Sequence, residues 1–323
     1  MKKLIGFIAV LSLVLTMLAG CNSKGTSSGG DTPTYKMGLL PWTGYAPWYI
    51  AEETGLFKKY KINVKLVSFK QDADLNAAFA SDDIQLANIA SHTALRMVGQ
   101  NGLDIKSIVF LDESTKADAM ITSGKYQSFA DLKGKKVAYE EGTTSDLLFK
   151  QALKDNNLTS KDFQVVLSSA ADAGIALASN KVDAAVTYEP YISEIKNKNK
   201  DVHAVYSGSD APGLISDMTV AKSSFLKENP KLQDKLEKVW QEALDYWKKN
   251  PDKGNEIVAK GTGSAVEDLP PILEGIKFFS IDEQQQLMDS GDLTKNIEKI
   301  KGILSSQEKF KHDVNVQNIL AIK

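Results

Sequence analysis

The sequence predicts an α/β protein of two lobes, and three observations carry that prediction. Short apolar strands alternate with helical segments through roughly the first two-thirds of the chain. The part able to fold, residues 35–323, exceeds the length that one hydrophobic core usually serves, so it divides. The chain has one cysteine, and it precedes the folded part, so packing alone must hold both lobes together.

The elements follow in order. Lys36–Leu40 is the first strand candidate. Pro47 sits where a first-turn proline belongs, in a helix that Gly55 closes. Asn63–Phe69, Leu86–Ile89 and Ser107–Leu111 are the next strands. Ser128 with Asp131 makes a capping-box pattern for a short helix ahead of Lys136–Tyr139. Gln164–Leu167, Ala184–Thr187 and Ile215–Ala221 complete the strand candidates, read as parallel α/β units. The last third changes character. Pro230 opens a long helix with Leu232, Leu236, Val239, Trp240, Ala243, Leu244 and Trp247 on one face, and helical pieces without a clear strand signal follow. Helical spacing makes Trp240 and Trp247 core residues rather than ligand contacts.

The N-terminus is read apart from the fold. Lys2 and Lys3 form a basic head, Leu4 to Gly20 carries no charge, and Leu18-Ala19-Gly20 leads into Cys21. That is the layout of a secretory signal over residues 1–20. The stretch is shorter than the ~20 apolar residues of a comfortable membrane span. An uncleaved anchor helix is the alternative, but it would not need its cysteine at the small-residue exit. Leu18-Ala19-Gly20-Cys21 resembles the bacterial lipobox, which implies cleavage before Cys21 and a lipid on its sulfur. A lipid chain adds ~0.8 kcal/mol per buried methylene, so such an anchor holds a soluble domain at the membrane surface. Residues 21–34 are rich in Gly, Ser and Thr with nothing to bury, and are expected to be a flexible tether.

Composition excludes several functions. The formal net charge is −2, becoming −4 once Lys2 and Lys3 leave with the signal, and lysines and acids are interleaved around a sole arginine, Arg96. No basic stripe is present, so nucleic acid is not an expected partner. His92, His203 and His312 are scattered without metal-ligand spacing, and there is no nucleophile elbow or glycine-rich phosphate loop. Neither catalytic residues nor a metal or other cofactor are expected.

The stretch Pro41-Trp42-Thr43-Gly44-Tyr45-Ala46-Pro47-Trp48-Tyr49-Ile50-Ala51-Glu52-Glu53-Thr54-Gly55-Leu56-Phe57 resembles the opening of solute-binding proteins of the nitrate/sulfonate/taurine import family. Ala78–Ala87, Phe129–Ala138 and Ala176–Ala185 resemble later segments of that family in the same order, although Asn180 and Lys181 stand where glycine is usual. The similarity spans about residues 35–225. It implies a periplasmic-binding-protein fold of type 2, with two lobes joined by two crossing segments and the ligand between them. The crossings are then expected near Ile121–Ser123 and Ser216–Thr219. Lobe 1 would comprise 35–122 with 217–323, and lobe 2 would comprise 123–216. The resemblance also implies an extracytoplasmic monomer, lipid-anchored to the cell membrane, that passes a small-molecule solute to ABC permease subunits with an ATPase.

Four loops follow predicted strands, where open α/β sheets bind ligands. Trp42, Thr43, Gly44 and Tyr45 offer aromatics, a hydroxyl and a flexible glycine. Ser91, His92 and Thr93 open one helix; Gly142, Thr143, Thr144 and Ser145 open another. Helix starts carry unpaired N–H donors and can hold an oxyanion without a lysine, or they can be ordinary caps. Tyr188 and Tyr191 are candidate walls for an organic portion. Asp118 and Glu189 would repel a bare anion but accept from an amine or amidine, so a zwitterion such as taurine fits both features. Arg96 lies a full turn beyond Ser91, where a solvated or structural role is favoured over an anion clamp. A sulfonate, taurine or nitrate is the expected solute, with a nitrogenous organic solute such as a thiamine pyrimidine precursor as the alternative. A sensory lipoprotein or a secreted enzyme of the same fold are the rival functions. Enzymes of thiamine metabolism that share the fold carry a cysteine-rich motif absent here.

Overall fold

A computed structural model describes residues 33–320. The expected signal 1–20, Cys21 and nearly all of the tether lie outside the described residues; Thr34, its last residue, already belongs to a strand.

The strands segregate into two sheets. The first contains β1 (Thr34–Leu39), β2 (Asn63–Ser68), β3 (Leu86–Ala90), β4 (Ile105–Ser114), β10 (Ser216–Lys222) and β11 (Ile276–Phe278), in the order β11-β4-β10-β3-β1-β2. The second contains β5 (Asp118–Thr122), β6 (Lys136–Tyr139), β7 (Gln164–Leu167), β8 (Ala184–Tyr188) and β9 (His203–Ser207), in the order β7-β6-β8-β5-β9. The two-lobed α/β architecture is therefore as expected.

The sheets are not purely parallel. β1 pairs in parallel with β2 and β3, but β10 runs antiparallel to β3 and β4. Likewise β6 is parallel to β7 and β8, whereas β5 is antiparallel to β8 and β9. The reason is topological. β5 and β10 have each just arrived from the other lobe, so they start at the interlobe side where the parallel strands finish. That direction matters below, because it brings the first residues of β5 and β10 to the cleft.

The crossings differ from expectation. Asp118–Thr122 lies wholly in the second sheet and Ser216–Lys222 wholly in the first, so the chain changes lobes at 115–117 and again at 208–215. Composition does not register which sheet a strand joins. The two crossings lie side by side. Ser114 N donates to Ile215 O at 3.0 Å and Ser209 Oγ donates to Thr115 O at 2.8 Å. Gly208 permits this approach, since a Cβ there would sit 2.2 Å from Ser114 O. Two short hydrogen-bonded crossings form the kind of joint about which lobes close.

The helices that frame the site follow the local signals. α1 (Ala46–Glu53) begins with Pro47 in its first turn, and Gly55 stands at φ 74° after it. α2 (Asp72–Ala80) follows β2, and α3 (Ser91–Asn101) follows β3 directly. In the second lobe, α4 (Thr144–Asp155), α5 (Ala170–Ala178) and α6 (Tyr191–Lys198) follow β6, β7 and β8. The Ser128 capping box forms as expected, on a short 3-10 helix over Phe129–Leu132. α7 (Leu232–Lys249) turns its apolar stripe onto the first lobe. Trp240 packs against Trp48 with ring centroids 5.1 Å apart and Trp247 donates to Asn255, so both are core residues as their spacing indicated. Burying side chains of this size stabilises by about 1.5–3 kcal/mol each. The second lobe has its own aromatic cluster around Phe129, Phe149 and Phe163.

Candidate ligand-binding cleft

Because β1, β2, β3, β4, β6 and β8 end where β5 and β10 begin, the loops and first residues of both lobes face one another. They enclose a pocket of about 350 Å³, counting its open mouth. Leu40, Trp42, Tyr45, Asp72, Ala90 and Asp217 line it from the first lobe; Asp118, Thr144 and Tyr188 line it from the second, with Ile215 from a crossing. Only about 30 Å³ of it admits water-sized molecules, well below the usual volume of a small-molecule site. Trp42 and Tyr188 meet edge-on across the lobes at 6.0 Å, and Tyr191 packs behind Tyr188 at 5.3 Å.

The polar chemistry of the pocket is acidic. Asp217 opens β10 opposite Asp112 on β4, and the two carboxyls are neighbours in register. Tyr45 Oη donates to Asp217 Oδ1 at 2.7 Å, and Trp42 Nε1 donates to Asp112 Oδ1 at 3.2 Å. Burial and the adjacent Asp217 push Asp112 well above the ordinary carboxylate range, while burial holds Asp217 at about 6. Two buried carboxyls so close together resist ionising at once, and Asp112 keeps its proton to higher pH than Asp217. Gly44 is needed at this spot, because a Cβ would lie 2.3 Å from Asp112 Oδ2 and 2.1 Å from Trp42 Nε1.

Asp118 opens β5 in register with Tyr188. It is 4% exposed, and its Oδ2 has no hydrogen-bond partner among the described residues. Burial, with Asp217, Glu189 and Asp72 nearby, pushes its carboxyl up to about 8. Asp72, half-buried at the start of α2, is pushed up to about 7 by burial and by Glu140 and Asp217. None of the residues lining the pocket is basic.

Several sequence candidates have duties elsewhere. Thr43 and Gly44 are buried beneath the pocket rather than lining it. Ser91 Oγ pairs with Ser216 Oγ at 2.8 Å, and Thr93 Oγ1 lies 3.4 Å from His92 Nε2. Burial, with Arg96 nearby, pushes His92 down to about 3, so its ring is neutral. Of that loop only Ala90 reaches the pocket wall. At the start of α4, Thr143 Oγ1 caps Ser145 N, Ser145 is buried, and Gly142 N donates to Asp146 Oδ2. The protein's own side chains thus occupy donors expected for an oxyanion, and Thr144 alone of that loop faces the pocket. Glu189 is also corrected. Its carboxylate accepts from Ser193 N at 2.9 Å and Ser193 Oγ at 3.1 Å, closing the first turn of α6 instead of facing a ligand.

Arg96 has the structural role expected of it, and it links the lobes. Its Nε donates to Glu308 Oε1 at 2.7 Å and its Nη1 donates to Gly142 O on the other lobe. Asn197 Nδ2 to Asp268 Oδ1, at 2.8 Å, is a second tie between lobes.

Asp72, Asp112 and Asp217 escaped the sequence reading. Asp72 was accessible to it, opening the helix just after a recognised strand. Asp112 and Asp217 signal themselves only as acids interrupting apolar strands, which marks them as buried without saying what they face.

Relatives and solved structures bear on this arrangement. The family described as NMT1/THI5 like matches residues 42–254. A Bacillus subtilis protein named for binding aliphatic sulfonates is 25% identical over 313 residues, covering 93% of this chain and 92% of that protein. The periplasmic aliphatic sulphonate-binding protein SsuA of Escherichia coli has a TM-score of 0.68 at 19% identity, over 89% of this chain and 99% of that one. The periplasmic nitrate-binding protein NrtA of Synechocystis has a TM-score of 0.63 at 18% identity, over 90% and 92% of the two chains. At such identities the structural likeness establishes the fold, which is that of the periplasmic binding proteins.

Proposed function

The chain belongs to the NMT1/THI5-like family, and on that premise we propose that it is the solute-binding component of an ABC import system. The observation that carries this reading is the pocket whose wall is shared between two lobes joined by two short crossings. An open form takes solute onto one lobe, closure about the crossings brings up the other, and the permease with its ATPase reads the closed shape. The work is capture and release, with no chemical turnover. In this reading the pocket residues are Trp42, Tyr45, Asp72, Asp118, Thr144, Tyr188 and Asp217, and Gly44 with Asp112 supports them from beneath.

The names of the relatives favour a sulfonate or nitrate as solute. The acidic lining favours the second reading, a nitrogenous organic solute, because carboxylates beside a bare anion repel it. A thermal-shift panel of sulfonates, taurine, nitrate, amines and pyrimidines will find the class, and scattering will test the mechanism. The stabilising compound should reduce the radius of gyration. A panel without a hit, or a hit that leaves the radius unchanged, contradicts the trap.

Placement at the membrane rests on Leu18-Ala19-Gly20-Cys21 after an uncharged stretch, which supports a lipid anchor on Cys21 facing the extracytoplasmic side. Host cells fed labelled fatty acid should label the wild type and not Cys21→Ser; an unlabelled wild type refutes the anchor.

A further inference from the structure

We infer that the cleft is built for a small organic cation bearing N–H donors, a protonated amine or amidine, and not for an oxyanion. The inference deepens the solute-trap reading and rests on it.

Three features of the cleft lead there independently. First, Asp72, Asp118 and Asp217 line the pocket and no basic side chain does. Second, Asp118 Oδ2 has no hydrogen-bond partner among the described residues, although its residue is only 4% exposed. An unpaired carboxyl so deeply buried is costly and demands an explanation, which an incoming N–H group supplies. Third, aromatic rings reach the same space from both lobes, Trp42 from the first and Tyr188 from the second. Ring faces attract cations, most strongly where water is excluded.

The donors that an oxyanion would need point to the same conclusion from the other side. Gly142 N donates to Asp146, and Ser91 Oγ shares a hydrogen bond with Ser216 Oγ. Burial and neighbouring acids hold Asp118 and Asp72 up at about 8 and 7, so a bound cation supplies a counter-charge that the pocket lining lacks. No group of three or more His, Cys, Asp or Glu among the described residues is gathered closely enough to hold a metal ion. The acids ring a space instead of converging on a point, which suits an organic cation.

Calorimetry on the full mature chain, at about pH 8 and low salt, decides the matter. The probes are methylammonium, guanidinium and benzamidine, set against tetramethylammonium, ethanesulfonate, nitrate and calcium. At least one N–H cation should bind roughly tenfold or more tightly than tetramethylammonium and than either anion. Asp118→Asn should weaken that cation by about ten- to hundredfold, the worth of a charge-assisted hydrogen bond. Asp217→Asn, also checked for cooperative unfolding, should weaken it in the same direction and so covers the case of a poorly folded first variant. Silence from all three N–H cations, preference for an anion, or binding of calcium alone overturns the inference. Compaction by any other solute would still leave the trap reading standing, so the two can fail separately.

Discussion

Raising the pH from about 5.5 to about 7.5 should tighten the binding of an N–H cation by on the order of a hundredfold. The expectation follows from Asp118, whose carboxyl is held at about 8 by burial and by Asp217, Glu189 and Asp72. A cation prefers the ionised carboxylate, so binding below that value must expel a proton. Each expelled proton makes affinity climb about tenfold per pH unit until the group ionises unaided. Asp72 at about 7 and Asp217 at about 6 add to the slope, with Asp112, Glu140, Tyr45 and Tyr188 the other titratable neighbours. The ligand-free protein should respond in the opposite sense. A carboxyl whose folded value is raised keeps its proton longer in the folded state. The associated stability is complete below the ordinary carboxylate range and is lost as pH rises through about 6 to 8. Melting temperature without ligand should therefore fall between about pH 5 and about pH 8, and Asp118→Asn should flatten that fall by several degrees. Calorimetric titrations and melting curves across the range check both halves. Affinity that is flat or rises on acidification would mark an anion site.

The architecture was largely legible in the sequence because it is written in local signals. Alternating apolar runs located eight of the strands, and the turn residues Pro47 and Gly55 and the Ser128 box marked helix ends where they occur. β5, β9 and β11 were missed. β5 and β9 reach their partners only across the fold, and β11 has just three residues. The crossings were misplaced for the same reason: a strand carries no local mark of the sheet it joins.

The candidate cleft was legible in part. Trp42, Tyr45, Thr144 and Tyr188 were identified from loops that follow predicted strands, Asp118 as an acid near the expected cleft, and all five line one pocket. The helix starts misled because a hydroxyl at a cap position looks identical whether it serves a ligand or its own backbone. Ser91 and Thr143 serve the protein. Glu189 misled similarly, since nothing in Tyr-Glu-Pro-Tyr tells that its carboxylate turns back to Ser193. Asp112 and Asp217 needed the register of β4 against β10, a contact between strands about a hundred residues apart in the chain.

Removing either aromatic wall should be the other large effect, and it addresses the central claim that one solute is held by both lobes at once. Trp42 and Tyr188 stand on opposite lobes and meet at 6.0 Å. A desolvated cation–π contact is worth up to about 2 kcal/mol, and lost apolar contact adds to it, so each truncation should cost about tenfold or more. Trp42→Ala also frees Asp112 of the indole donor, which would further disturb the paired carboxyls. Trp42→Phe keeps a ring while losing that donor, and so separates the two effects. Tyr188→Ala removes the second-lobe wall without touching the Asp112–Asp217 pair. The decisive measurement is the calorimetric affinity of one ligand for wild type, Trp42→Ala and Tyr188→Ala. Both variants should bind it at least about tenfold more weakly than wild type. Undiminished affinity in either variant would contradict the two-lobe claim, because the ligand would then be held by one lobe alone.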